Sequence, residues 1–168
     1  MNPVREFLPL LARHQGIWEG EYTHVAPDRS VQDGYLFRIL VEIPDEGPAH
    51  YRQSSHYWWP DGRAQQLVYE GFYQDGRVHI DDGRIHGSCW SLDDETLYLT
   101  FGFHADPAGH VCEMIQLSPD GAHRARTWHW FRHDVLWRIT LVREHRIPGD
   151  AGRFAALAST TPALPWQE

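Results

Sequence analysis

The chain has 168 residues, enough for one domain with a real core, and carries a formal net charge of −8 with a pI near 5.8. This acidic balance argues against a nucleic-acid surface or an anionic membrane as a partner. No apolar run approaches the roughly 20 residues of a membrane helix, and the N-terminus lacks a signal-peptide pattern, so a cytoplasmic location is expected.

The basic and sulfur-bearing residues restrict the chemistry. All fifteen basic residues are arginine, so Schiff-base chemistry on a lysine is excluded. The guanidinium groups of arginine are then the permanently charged cations of the chain. Cys89 and Cys112 fall on predicted strands that flank a third, roughly 9–10 Å apart, which is too far for a disulfide. We expect free thiols, and no Cys/His spacing indicates a structural zinc site.

The first fifteen residues predict a short helix. Asn2 and Pro3 are suited to the N-cap and the first helical position, and Pro9 would break or restart the helix. Gly16 then ends the helical pattern. We therefore expect a short lid helix before the first strand.

From Gly16 onward the pattern is that of strands joined by short turns rich in Asp, Gly and Pro. The strand-like runs are residues 16–25, 34–43, 50–59, 64–73, 77–81, 84–92, 97–104, 110–118, 123–132 and 135–146. A meander of this length should close on itself to remove its edges. We expect an all-β, antiparallel up-and-down barrel of about 8–10 strands, with room for one small ligand. Residues 1–146 would form this domain and 147–168 a C-terminal tail, which either docks a short helix through Phe154, Leu157 and Trp166 or is disordered.

Gly16-Ile17-Trp18 at the start of the first strand, after a short helix and before a meander, resembles the lipocalin and calycin superfamily. The layout is also similar to uncharacterised bacterial and plant calycin-like families and, more distantly, to the haem-binding nitrobindins. The resemblance implies that Trp18 packs at the closed end of the barrel against an arginine near the end of the last strand, where Arg143 stands. It implies a fold and a cavity, but not a reaction.

The last hairpin holds three of the eight tryptophans and predicts which side chains face inward. A two-residue turn at His133-Asp134 pairs Arg132 with Val135. Four apolar residues of the return strand then form an inward face: Val135, Trp137, Ile139 and Leu141. Their cross-strand partners share that face because side chains alternate between faces, and we expect these to be Arg126, Trp128 and Trp130, with Arg143 also inward.

The same alternation extends to other strands. A turn at Asp120-Gly121 pairs Glu113 with Trp128 and places Glu113 inward, diagonal to Arg126. A four-residue turn at 93–96 would place three residues beside the apolar face of the following strand: His86, Ser88 and Trp90. On the first strand, Tyr22 and His24 are an even number of residues from Trp18 and are therefore expected to face inward with it. For residues 50–81 the register is open: one choice places Tyr51, Gln53, Ser55, Tyr57 and Trp59 inside, and the other places His50, Arg52, Ser54, His56 and Trp58 there.

These residues predict a small-molecule-binding barrel whose ligand is apolar or aromatic with a polar or anionic group. The candidate ligand-binding residues are Arg126, Trp90, Trp128, Trp130, Trp137, Tyr22, His24 and Tyr57. A second hypothesis is a cofactor-independent lyase, isomerase or cyclase with His86 and Glu113 as acid and base. A third is haem binding in the nitrobindin manner, through a histidine.

Each candidate also has a purely structural explanation. Glu113 and Arg126 could be an ion pair inside a filled barrel, His86 a core histidine, and the tryptophans core residues; longer turns would bring His129 inside instead. Motifs of nucleophilic hydrolases, phosphate loops and dinucleotide sites are missing from the sequence. We expect no cofactor or metal, no nucleic acid and no membrane; a homodimer is compatible with the sequence.

Overall fold

The computed structural model describes residues 1–166, which form three short helices and ten strands. The N-terminal helices are α1 (Pro3–Phe7) and α2 (Pro9–Arg13), and a third helix, α3 (Ala151–Ala156), follows the last strand. The strands are β1 (Gly16–Val25), β2 (Val31–Glu42), β3 (Tyr51–Trp58), β4 (Ala64–Gln74), β5 (Arg77–Asp81), β6 (Ile85–Ser91), β7 (Thr96–Phe103), β8 (Asp106–Leu117), β9 (His123–Arg132) and β10 (Val135–Ile147).

The strands form a closed antiparallel barrel. Each strand pairs with its neighbour in the chain, and β1 pairs with β10 to close the sheet. The predicted all-β up-and-down barrel is confirmed, at the upper end of the predicted strand number. Closure gives each of the ten strands two neighbours, so the sheet has no edge strand.

The N-terminal helices cover one end of the barrel. The Asn2 side chain accepts a hydrogen bond from the Val4 backbone nitrogen at 2.8 Å and so caps α1. Pro9 restarts the helix as α2, whose Leu10 and Leu11 are buried, and α2 lies beside β6 and β7. This end, where β1 begins, is the closed end of the barrel. None of the helices in residues 1–166 is long and apolar enough to cross a membrane.

The C-terminal tail packs on the outside of the barrel. Phe154 of α3 is buried against Ile17 and Leu40, and its ring lies 4.4 Å from that of His56. At the far end, the Trp166 indole donates a hydrogen bond to Glu21 at 2.7 Å. Residues 147–166 are therefore docked; residues 167 and 168 of the predicted tail lie outside the described residues.

The predicted register is right for one hairpin and wrong for two. Glu113 pairs with Trp128 and Val111 with Trp130, as the Asp120-Gly121 turn predicts. In the last hairpin, Arg132 pairs with Val135, but a bulge between Leu136 and Arg138 shifts the pairing by one residue.

The bulge reverses the predicted inward face of β10. Val135, Trp137 and Leu141 are exposed, and Thr140, Val142 and Glu144 are buried instead. Arg143 is also exposed, so its predicted contact with Trp18 is wrong. Trp18 packs instead under Arg124 and Arg146, whose guanidinium carbons lie 4.1 and 4.4 Å from its ring centre.

The third hairpin, β6–β7, is shifted because its loop is one residue shorter than predicted. The Asp93 carboxylate accepts hydrogen bonds from the backbone nitrogens of Glu95 and Thr96, which tightens the turn. Cys89 consequently pairs with Leu99, where the sequence predicted Trp90. The inward residues of β6 are therefore Ile85, Gly87 and Cys89. Both cysteines are free, as predicted.

Candidate ligand-binding site

The barrel encloses a cavity of about 390 Å³, within the usual size range of small-molecule sites. At the closed end its wall includes Leu11 of α2 and His14, the residue that follows this helix. At the opposite end, the mouth, Phe103, Trp130 and Arg84 line it. The predicted room for one small ligand is present.

Five of the seven tyrosines line this cavity: Tyr22, Tyr35, Tyr51, Tyr57 and Tyr69. Burial raises the pKa of all five hydroxyls, so they remain neutral phenols at physiological pH. Such groups donate and accept hydrogen bonds without bringing charge into the cavity.

Strand β3 supplies a line of polar side chains to the wall. The Tyr51 hydroxyl donates to Oε1 of Gln53 at 2.8 Å, and Nε2 of Gln53 donates to Oγ of Ser55 at 3.0 Å. Tyr57 and Trp59 also line the cavity. Of the two registers that the sequence left open, the structure adopts the one with Tyr51 and Tyr57 inside.

Aromatic rings form the opposite wall. Trp128 meets Phe101 edge to face at 5.9 Å between ring centres, and Trp130 stacks with Phe103 at 6.0 Å. Trp128 also meets the Tyr22 ring edge to face at 5.5 Å. These rings give the cavity a large apolar surface on which a ligand ring can pack.

A cluster of four buried charges lies toward the closed end: Arg124, Arg126, Glu113 and Glu144. Arg126 donates through Nη1 to Glu113 at 3.1 Å and through Nη2 to the Tyr22 hydroxyl at 2.7 Å. Its Nε lies 2.5 Å from Oε1 of Glu144, an ion pair without hydrogen-bond alignment. Arg124 donates to the other Glu144 oxygen at 2.5 Å.

The four charges sum to zero, and this changes the predicted role of Arg126. Both of its terminal nitrogens already have protein partners, so it has little left to offer an anionic ligand. Burial acts to lower the pKa of Arg126, but Glu144, Tyr22 and Glu113 outweigh that effect and hold the pKa well above its ordinary value. For Glu113, burial dominates and raises the pKa, against the opposing effect of Arg126.

His14 sits beside this cluster as a neutral imidazole. Burial, followed by the charges of Arg124 and Arg146, lowers its pKa well below 6.5. Its Nδ1 lies 3.3 Å from Nη1 of Arg124, which can only donate, so Nδ1 accepts and Nε2 carries the proton. Nε2 is buried and has no hydrogen-bond partner among residues 1–166.

Six of the predicted site residues meet in or around the cavity: Glu113, Arg126, Trp128, Trp130, Tyr22 and Tyr57. His24 is buried on the same strand face near the mouth, where its Nδ1 is 2.8 Å from Oγ1 of Thr140; it does not line the cavity.

Three predicted site residues lie on the outside. His86 is exposed and packs on His104, so the predicted His86–Glu113 pair is not assembled. Trp90 faces outward under Arg77 because of the same one-residue shift. Trp137 lies in the β10 bulge and packs against Arg138 on the surface. His129 is exposed, so the alternative with longer turns, which would bring it inside, is wrong.

Glu144, Tyr35 and Tyr69 are the main residues that the sequence interpretation missed. Glu144 is inward only because of the β10 bulge, which nothing in the sequence pattern indicates. Tyr35 pairs directly with Tyr22, and a correct length for the turn after β1 would have identified it.

Comparison with known proteins supports the fold. No family model matches the chain, and no curated protein matches it. A protein of unknown function from the DUF3598 family of Nostoc punctiforme has a TM-score of 0.62 at 17% identity, over 82% of this chain and 49% of that one. The present chain therefore spans about half of that protein's length.

Two further solved structures match over nearly their whole length. The S-type phycobiliprotein lyase CPES from Guillardia theta has a TM-score of 0.64 at 15% identity, covering 88% of this chain and 94% of that one. Rv2717c from M. tuberculosis has a TM-score of 0.58 at 14% identity, covering 84% and 97%. At these identities the matches show that the chain shares the overall fold of these proteins.

Proposed function

We propose that this protein binds a small, largely uncharged, ring-bearing molecule inside the barrel. The observation that carries the proposal is the cavity of about 390 Å³, whose wall combines aromatic faces with neutral phenol hydroxyls. A barrel whose interior is filled by packed side chains would have no such cavity and would not place so many polar groups in its interior. The aromatic surfaces favour flat rings, and the tyrosine hydroxyls favour hydroxyl or carbonyl groups on them.

The charge cluster argues against an anionic group deep in the ligand. While both carboxylates are ionised, the paired charges of Arg124, Arg126, Glu113 and Glu144 leave no net positive charge to compensate a buried anion. Burying an anion without compensation costs several kcal/mol. Any anionic group would therefore sit at the mouth, where it can stay hydrated beside the half-exposed Arg84–Asp82 ion pair.

The catalytic hypothesis has weaker support. One structural neighbour is described as a phycobiliprotein lyase, but the predicted acid–base pair is not formed because His86 is outside. Glu113 keeps a raised pKa and remains a candidate proton donor. No contact of the described residues favours haem binding over the smaller aromatic ligands proposed here.

A matched pair of fluorescent probes tests the proposal. N-phenyl-1-naphthylamine is neutral, and 1-anilinonaphthalene-8-sulfonate has the same rings with one added sulfonate. We expect the neutral probe to bind at one site per chain and the sulfonate to bind at least about tenfold more weakly, a difference of about 1.4 kcal/mol.

A pair of variants on β4 locates the bound probe. Leu67 lines the cavity and Gln66 is exposed on the opposite face of the strand. Leu67→Trp should narrow the cavity and weaken binding at least about tenfold, whereas Gln66→Trp should bind as the wild type does. Equal or tighter binding of the sulfonated probe would contradict the proposed ligand class, and equal binding by both variants would contradict the interior site. A Soret band in the purified protein would replace the proposal with haem binding.

A further inference from the structure

Among residues 1–166, two amide side chains line the cavity, those of Gln53 and Gln65. Gln65 is exposed and lies near the mouth. Gln53 is only partly exposed and lies deeper, two residues after Tyr51, the first residue of β3 at the closed end. Its direct cross-strand neighbours are Val41 on β2 and Tyr69 on β4. The exposed part of Gln53 therefore faces the cavity and is within reach of a ligand.

The orientation of the Gln53 amide is fixed by its neighbours on β3. Its Oε1 accepts a hydrogen bond from the Tyr51 hydroxyl at 2.8 Å, and its Nε2 donates to Oγ of Ser55 at 3.0 Å. Burial raises the pKa of Tyr57, and a hydrogen bond with Ser55 opposes that rise, because the Ser55 hydroxyl donates to the Tyr57 oxygen. A hydroxyl has one hydrogen to donate. Ser55 must therefore accept from Gln53, and the amide cannot be turned the other way.

Half of the hydrogen-bonding capacity of the Gln53 amide remains unused. The oxygen of an amide has two lone pairs and its nitrogen has two hydrogens, all in the plane of the group. Tyr51 and Ser55 take one of each, and within the described part of the chain the side chain makes no other hydrogen bond. These two partners lie on opposite sides of Gln53 along the strand, and Ser55 is fully buried in the wall. The remaining lone pair and the remaining hydrogen therefore point side by side, away from the strand and into the cavity.

We infer that this edge of Gln53 recognises a lactam, a ring in which an N–H group lies beside a carbonyl group, and that Gln53 determines the specificity of the cavity. The carbonyl of the ligand accepts a hydrogen bond from Nε2, and its N–H group donates to Oε1. The two hydrogen bonds are parallel and hold the ring in the plane of the amide. The inference rests on the proposed function, because it names the polar group of the ring-bearing ligand.

Other polar groups match this edge less well. A carboxylate has only acceptors, so one of its oxygens would lie against Oε1 of Gln53 without a hydrogen between them. A ketone pairs with Nε2 but leaves the lone pair of Oε1 unused once water has been displaced, and a buried polar group without a partner is unfavourable. A site that supplies one donor and one acceptor side by side therefore favours a ligand that offers the complementary pair.

Two quinolinones test the inference, and N-phenyl-1-naphthylamine serves as the reference for the cavity itself. 2-Quinolinone carries an N–H group beside its carbonyl group, and 1-methyl-2-quinolinone has the same rings and carbonyl but no N–H group. Isothermal titration calorimetry of the full chain with each compound gives the dissociation constants. For the wild type, that of 2-quinolinone should be at least about tenfold lower, because the methylated compound loses one hydrogen bond and leaves Oε1 of Gln53 unpaired.

A matched pair of variants assigns the preference to Gln53. Gln53→Met keeps the length of the side chain and removes the amide, so it should bind the two quinolinones about equally while still binding N-phenyl-1-naphthylamine. Gln65→Met makes the same substitution near the mouth and should keep the wild-type preference. Circular dichroism establishes that both variants are folded.

A second measurement needs no substitution. In the nuclear magnetic resonance spectrum of the nitrogen-labelled wild type, 2-quinolinone should shift the side-chain amide signals of Gln53 much more than 1-methyl-2-quinolinone does. Equal shifts would overturn the inference, and so would a preference for 2-quinolinone that Gln53→Met retains. A wild type that binds N-phenyl-1-naphthylamine but does not distinguish the quinolinones would overturn the inference and leave the proposed function standing. A wild type that binds none of the three compounds would contradict the proposed function, and the inference with it.

Discussion

Glu144 is the residue whose neutralisation should most damage the barrel. Its carboxylate is fully buried and makes ion pairs with both Arg124 and Arg126 at 2.5 Å. Glu144→Gln keeps the shape but leaves two buried guanidinium groups with a single carboxylate, that of Glu113. Breaking a buried pair in this way costs about 3–5 kcal/mol. At 2–4 °C per kcal/mol for a chain of this size, the melting temperature should fall by roughly 6–20 °C.

Urea unfolding followed by tryptophan fluorescence measures the loss, with two comparison variants. Glu113→Gln should cost less, about 1–3 kcal/mol, because burial already disfavours the charged form of Glu113. Glu70→Gln should change the free energy of unfolding by less than about 0.5 kcal/mol, since Glu70 is half-exposed and 4.0 Å from Arg52. If Glu144→Gln costs no more than Glu70→Gln, the charge cluster does not stabilise the barrel and the reasoning is wrong.

Two further predictions concern pH and the tail. Because the pKa of Glu113 is raised in the folded state, the stability contributed by its protonated form is present below pH 4.5 and is lost as the pH rises through the folded pKa. The stability of the wild type relative to Glu113→Gln should therefore fall as the pH rises above about 4.5; a constant difference would place the folded pKa at its ordinary value. Phe154→Ala should cost about 3 kcal/mol, because Phe154 is buried against Ile17 and Leu40; a loss below about 1 kcal/mol in urea unfolding would show that the tail does not stabilise the barrel.

The sequence predicted most of the fold because turns and alternation are local signals. The turn residues around Asp120-Gly121 gave the correct register, and so Glu113 was correctly placed inside beside Trp128, although the hairpin closes between Ser118 and His123 and not between Pro119 and Ala122. The two-residue turn at His133-Asp134 was also correct; both residues have positive φ, at 48° and 60°, as a type I′ turn requires.

The errors about which side chains face inward came from one-residue changes in a bulge and in a loop. Because side chains alternate between the two faces of a strand, each such change exchanges the two faces. A bulge at Trp137 moved Glu144 inside and Leu141 outside, although the apolar pattern of β10 indicated the reverse. The shorter loop beside Asp93 moved His86 and Trp90 outside. A one-residue change inverts a whole strand face. Neither the bulge nor the shorter loop can be recognised from the amino-acid composition of the segment. The chemistry of the candidate site was therefore harder to predict than its architecture.

The sequence could not show, for a different reason, that the guanidinium group of Arg126 already has protein partners. The pairing of Arg126 with Glu113 follows from the register of two strands. Its contact with Glu144 on the neighbouring strand depends on the β10 bulge. Its contact with Tyr22 joins β9 to β1 and depends on the closure of the barrel. Because of those contacts, the expected ligand changes from an anionic molecule to a largely neutral one.

Native mass spectrometry with the neutral naphthylamine probe tests most directly whether the barrel interior is the binding site. The wild-type chain and Gln66→Trp should each carry one probe molecule per chain, and Leu67→Trp should carry the probe on a much smaller fraction of chains at the same probe concentration while keeping its folded charge-state distribution. If Leu67→Trp retains the probe at the same stoichiometry as the wild type, the ligand does not occupy the cavity, and the interior is not the functional site.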